Sequence, residues 1–227
     1  MNHYFLIPSV SSQNPNGDRP PLENFDKDFP HKFRAELYQF YNNSLSTKNR
    51  DPYRFLGCRG IKQKFWLNEW NNYLKNKTLP AIDRFESNLF EMLRRESSNQ
   101  DIWILCPFHG IITAEELIPN YMICNDAFLP GCGFLKDYWQ SKIKREIKSK
   151  SHHAIFWNFL DNNWPNINNT NINKTLITIK FHERNNSDLS IFKLVKLVRE
   201  NKPQNYSNAL KLLNKLGSKF NSDHHVL

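Results

Sequence analysis

Short apolar runs alternate along this chain with stretches in which apolar residues return every three or four positions, as strands interleaved with helices do. Tyr4-Phe5-Leu6-Ile7-Pro8 reads as a buried strand. Ser9 to Pro21, rich in Ser, Asn, Gly and Pro, reads as a loop at its carboxyl end, a common place for ligands in α/β sheets. Phe33 to Tyr41 and Ile61 to Leu74 carry helical spacing, the latter with Phe65, Trp66, Leu67 and Trp70 on its apolar face. From Leu79 to Leu93 the positions Ile82, Phe85, Leu89, Phe90 and Leu93 recur with the same period, as one helix opened by Pro80 or as two short ones joined near Ser87.

Ile102-Trp103-Ile104-Leu105-Cys106 is the strongest buried-strand pattern, stopped by Pro107-Phe108-His109-Gly110, with Ile111 to Thr113 as a turn or a second short strand. Phe134 to Lys150 is an amphipathic helix. Leu135, Tyr138, Trp139, Ile143 and Ile147 share one face, while Lys136, Lys142, Lys144, Arg145, Lys148 and Lys150 lie largely elsewhere. Ala154 to Leu160 is another apolar strand, and Lys174 to His182 alternates Ile177, Ile179 and Phe181 with a polar face of Thr178, Lys180 and His182. The Asn-rich stretch from Asn158 to Asn173 is the longest expected surface loop. Ser187 or Asp188 caps a helix through Val198, Ser207 caps a last helix ending at Gly217, and residues 218–227 are expected to fray.

About five strands alternating with helices predict an α/β fold, a single domain over residues 1–217 with a central mixed sheet flanked by helices. The 227 residues suffice for one well-buried core, and 39% hydrophobic with 14% aromatic residues exclude a disordered chain. No apolar run reaches membrane-span length, and the first ten residues lack the pattern of a leader, so a cytoplasmic location is expected. Cys58, Cys106, Cys124 and Cys132 include no CxxC pair, which predicts reduced, mostly packed thiols and no metal site. The paired histidines His152-His153 and His224-His225 have no carboxylate or thiolate at ligand spacing and read as solvated surface.

Charge changes the picture. Residues 1–133 hold 15 basic and 15 acidic side chains and residues 134–227 hold 16 and 7, so the whole net charge of +9 lies in the C-terminal part. Such an imbalance favours an anionic partner, nucleic acid foremost, with a merely solubilising basic surface as the plain alternative. Dinucleotide, P-loop, zinc-protease, esterase and kinase signatures are all absent, and no cofactor is expected. His109, in a strand-end turn beside Gly110, is the one histidine placed to act as a general acid or base, although packing holds most turn histidines.

Three stretches, in order, resemble the YaaA-type peroxide-stress protein family. The first is Leu79-Pro80-Ala81-Ile82-Asp83-Arg84-Phe85-Glu86-Ser87-Asn88-Leu89-Phe90, and the second Ile104-Leu105-Cys106-Pro107-Phe108-His109-Gly110-Ile111-Ile112 with Glu116-Leu117-Ile118-Pro119-Asn120-Tyr121. The third runs from Leu135-Lys136-Asp137-Tyr138-Trp139 through Ile179-Lys180-Phe181-His182 to Arg199-Glu200-Asn201-Lys202-Pro203. The chain departs from the family where Ile7-Pro8-Ser9-Val10 replaces a Ser-Pro-Ala-Lys pattern, and where His109 replaces the Tyr of the turn. A late Tyr-Ala-Lys-Lys-Ala-Arg-Gly-like segment has become Phe181-His182-Glu183-Arg184-Asn185. The resemblance implies a compact α/β domain with a basic cleft, DNA binding, and protection from peroxide through limiting free iron and DNA damage. It brings no defined reaction.

The leading reading is a nucleic-acid-binding stress protein that holds DNA or another polyanion with Lys142, Lys144, Arg145 and Lys148. Arg84, Tyr121, Trp139, Lys180 and Arg184 are the further ligand-binding candidates. The alternative is an enzyme acting on a nucleotide, nucleobase or similar small anion, with Arg84 and Lys180 binding it and His109 moving a proton in a pocket shared with Tyr121.

Overall fold

A computed structural model describes residues 1–23, 25, 30–46, 72–121, 123, 127–129, 131–150, 153–160, 176–181, 187–217 and 222–225. Its centre is a six-stranded sheet in the order β10-β9-β8-β1-β3-β4. The strands are β1 (Asn2–Pro8), β3 (Ile102–Cys106), β4 (Gly110–Thr113), β8 (Ala154–Asn158), β9 (Leu176–Phe181) and β10 (Ser222–His225). β1 runs parallel to both β3 and β8, and β8 runs parallel to β9, while β4 and β10 close the two edges antiparallel. Strands covered on both faces should be apolar throughout rather than alternating. Phe5, Leu6 and Ile7 of β1 and every residue of β3 and β8 are accordingly buried.

The expected apolar strands at 4–8, 102–106 and 154–160 are in place, the last ending at Asn158. Gly110 begins the second strand of a tight β3–β4 hairpin, at φ 67° where a side chain is strained. Thr178, on the polar face of β9, is buried with Leu176 on the same side and accepts a hydrogen bond from Asn158 Nδ2 at 3.2 Å. Two expectations change. Residues 222–225, expected to fray, pair with β9 from Phe181 to Thr178. The strand count exceeds five, since two small ribbons join the main sheet: β2 (Thr78–Pro80) with β5 (Leu117–Pro119), and β6 (Phe128–Leu129) with β7 (Gly133–Phe134).

The helices are α1 (His31–Ser46), α2 (Ala81–Arg84), α3 (Asn88–Arg94), α4 (Leu135–Lys150), α5 (Ser187–Asn201) and α6 (Tyr206–Gly217). The Leu79 to Leu93 pattern is two short helices, broken where Phe85 turns extended and Ser87 Oγ takes the Phe90 amide at 3.5 Å. α6 starts one residue before Ser207, with Asn205 Oδ1 accepting the Asn208 amide at 2.9 Å. Asp188, in the first turn of α5, accepts the Leu89 amide at 3.1 Å and so joins the starts of α5 and α3. On α4 the buried stripe is Leu135, Trp139, Ile143 and Ile147, with Tyr138 at its half-buried margin. The expected helix over Ile61 to Leu74 lies outside the described residues except for its end, a turn at Asn72 to Leu74. Most of the Asn158 to Asn173 loop lies outside them as well. Among the described residues no helix is long and apolar enough to cross a membrane.

Candidate functional site

Ligand crevices of parallel sheets open at the carboxyl ends of the strands, where neighbouring connections leave in opposite directions. Here that place is the end of β1, between β3 and β8, and the chain's own residues fill it. Residues 9–21 lie across it as a strap. Asn14 donates its amide to Arg84 O at 2.8 Å, Glu86 donates to Ser12 O at 3.0 Å, and Gln13 Nε2 donates to Tyr121 O at 2.8 Å.

Arg84 holds this strap from beneath. The residue is fully buried, and its guanidinium donates to four main-chain carbonyls: Asn14, Asn16 at 2.7 Å, Lys77 at 3.2 Å and Ile118 at 3.1 Å. A guanidinium spent on carbonyls from three segments organises a loop and presents no fork to a soluble anion.

His109 and Tyr121 do converge, with ring centroids 4.7 Å apart and edge to face. The Tyr73 hydroxyl lies 3.3 Å from the His109 ring nitrogens. His109 is 1% exposed, and burial first, then Arg34, His31 and Arg84, hold its pKa well below the usual histidine range. The imidazole is therefore neutral and sealed from bulk water. Tyr121 shares hydrogen bonds with the Cys106 thiol and Ser9, and burial pushes the Tyr121 hydroxyl up and the thiol up to about 12. Arg34, paired with Glu116, donates to His109 O at 2.8 Å and Ile111 O at 3.2 Å, fixing the hairpin turn. Trp139 is 1% exposed, donates its indole N–H to Pro107 O at 2.8 Å and covers Gly110. Its ring offers no face to a ligand in this conformation. A groove of about 370 Å³ between α3 and α5 is lined by Glu96, Asp101, Lys196, Arg199 and Glu200 and contains none of the expected site residues.

The candidates on α4 sit differently. Tyr138 Oη donates to Glu36 Oε2 at 2.6 Å and lies 3.0 Å from Phe33 O, docking α4 against α1. Around the Phe33 ring gather three cations: Lys32 at 4.9 Å, Lys142 at 4.8 Å and Arg145 at 5.7 Å from its centroid. Lys142 also lies 3.5 Å from the Tyr138 centroid, and partial burial lowers its pKa. Arg145 and Lys148 are exposed and Lys144 half-buried, on the side of α4 away from its apolar stripe. Lys180 lies on β9, without a described side chain, and Arg184 and Cys124 fall outside the described residues.

The sequence reading missed Lys32 and Phe33, because only the packing of α1 against α4 brings them to Lys142 and Arg145. It also passed over Phe128 and Phe134, although Pro130-Gly131-Cys132-Gly133 between them is a turn signal. Among the described residues no group of three or more His, Cys, Asp or Glu side chains is placed to hold a metal ion.

A family model described as Peroxide stress protein YaaA matches residues 23–199. No curated protein matches the chain. That family match runs from the strap's end to the last turn of α5 and takes in the β3–β4 hairpin and the whole of α4, so the chain belongs to the YaaA family of peroxide stress proteins.

Proposed function

We propose that this protein acts in the peroxide stress response by binding DNA, or a polyanion of the same phosphate chemistry, along the surface where α1 and α4 meet. The observation that carries the reading is the gathering of Lys32, Lys142 and Arg145 around one ring, with Glu36 as the nearby carboxylate. Like charges held together raise the local potential and cost stability unless an anion relieves them. Lys144 and Lys148 extend the positive surface along α4. Protection then comes from occupying DNA where iron-linked oxidation would strike it, and a cytoplasmic location belongs to the same reading.

Fluorescence anisotropy with a labelled duplex tests this. Binding at about 50 mM salt should weaken with a log–log slope near −3 to −4 if roughly four phosphates are engaged. The pair Lys144→Glu and Arg145→Glu should weaken binding by about tenfold or more across unrelated sequences, since phosphate contacts do not read bases. Lys75→Glu with Lys77→Glu, exposed positions in the neutral part of the chain, should change it less than about twofold. Equal losses in the two double variants, or no binding by the unaltered protein at about 50 mM salt, would overturn the reading.

A further inference from the structure

We infer that the β6–β7 hairpin stacks unpaired bases, so that the surface described above takes single-stranded or locally unpaired nucleic acid in preference to a closed duplex. The inference rests on the polyanion reading and names the partner's form.

Large aromatic side chains usually complete a core, and in this protein most of them do. Phe128 and Phe134 do not. They face each other across the two-stranded ribbon, 5.3 Å between centroids and edge to face, yet stay 40% and 46% exposed while Leu129 beside them is fully buried. The ribbon is thus anchored through one face and shows two rings on the other.

The turn that presents them is constrained. Gly131 and Gly133 have φ 85° and 88°, and a Cβ on Gly131 would lie 3.0 Å from the Phe40 ring of α1. The rings therefore stand on a seated hairpin rather than a loose loop, and an aromatic surface that is already ordered loses little entropy on binding.

Charge distinguishes the occupant. Lys136 Nζ lies 6.0 Å from the Phe134 centroid, and α4 leaves the hairpin directly at Leu135. From Leu135 to Arg145 the helix rises about 15 Å. The rings thus stand beside Lys136 at the start of α4, and the Phe33 cluster with Lys142 and Arg145 lies about two to three turns further along the same helix. An apolar protein surface would leave these cations unpaired, whereas a strand with splayed bases offers π faces to the rings and phosphates to the cations. Bases stacked inside a duplex cannot reach the rings.

The experiment compares a labelled 15-nucleotide single strand with the matching duplex, using the full-length protein. The unaltered protein should bind the single strand more tightly. Phe128→Ala with Phe134→Ala should weaken single-strand binding by about tenfold or more, the order expected for losing base stacking on aromatic rings. Duplex affinity should stay within about twofold and the salt slope should not change, because no phosphate contact is touched. Phe128→Ala with Phe134→Trp should recover most of the loss, which separates stacking from damage to the fold. An equal loss on both ligands, or undiminished single-strand binding by the double alanine variant, would sink this inference while leaving the polyanion reading standing. Failure of the unaltered protein to bind either ligand at low salt would remove both.

Discussion

Trp139 lies over Gly110 so closely that a single added carbon on Gly110 would sit 2.5 Å from the indole ring. α4 is thereby pressed against the β3–β4 turn, and the indole N–H bonds to Pro107 of the same turn. Gly110→Ala meets both this ring and a backbone at φ 67°. We expect a loss of roughly 2–4 kcal/mol, from left-handed backbone strain plus overpacking. Chemical denaturation of the variant measures it, and a change below about 1 kcal/mol would contradict the packing described.

Replacing Arg84 should loosen the strap. Arg84→Lys keeps the charge but lacks the planar fork that meets four carbonyls from separate segments, so several acceptors lose their partner. The expected cost is about 2–4 kcal/mol, with faster proteolysis within residues 9–21. Unchanged stability together with lost ligand affinity would return Arg84 to the role of an anion-binding residue.

The described thiols should be poor peroxide sensors. With the Cys106 thiol pushed up to about 12 and the half-buried Cys132 to about 11, their thiolates at pH 7 amount to about one part in 10⁵ and 10⁴. Peptide mapping after a brief alkylation of the native protein should find Cys106 unlabelled, and labelled once denaturant is added. Labelling at the rate of a free cysteine in the native state would refute this.

Acidification should weaken the fold through His109. Its folded pKa lies below the unfolded value of 6.5, so the unfolded chain takes up a proton first, and stability present above pH 6.5 falls as pH drops below it. The groups that face the ring are Tyr73, Tyr121, Arg34, His31 and Arg84, and no carboxylate among the causes of its shift favours the charged form. His3, also lowered by burial, contributes with the same sign. His109→Gln should flatten the decline by up to about 1.4 kcal/mol per pH unit between pH 6.5 and 5. Parallel curves for the two proteins would show that His109 does not drive it.

Much of the scaffold was legible because periodicity reports burial. The five apolar residues Ile102 to Cys106 read as an interior strand and Pro107 with Gly110 as its end, which placed His109 at the turn. The stripe of Leu135, Trp139, Ile143 and Ile147 likewise fixed how α4 faces the core. What stayed illegible is what contacts across space decide. Arg84 is apt for an anion by chemistry, and nothing local reveals that the carbonyls of Asn14, Asn16, Lys77 and Ile118 take its donors. The alternation of β9 showed that Thr178 shares a polar face, whereas its burial depends on what packs over that side of the strand. The charge excess was visible as a sum, whereas its concentration around Phe33 needed α1 to bring Lys32 to Arg145.

The position of β1 in the sheet sets a schedule for the growing chain. Phe5 pairs with Ile102 on one side and Tyr4 with Phe156 on the other, so this interior strand precedes the other strands of the sheet and waits longest for its second partner. At a synthesis rate of about 5–20 residues per second, Tyr4-Phe5-Leu6-Ile7 waits roughly 5–20 s for β3 and several seconds more for β8. During that interval a sticky, β-prone tetrapeptide trails outside the ribosome with both of its edges open. The interval between the synthesis of β1 and that of β8 is therefore when this segment is most open to mispairing, because long-range strand pairing has to wait for distant chain to be made.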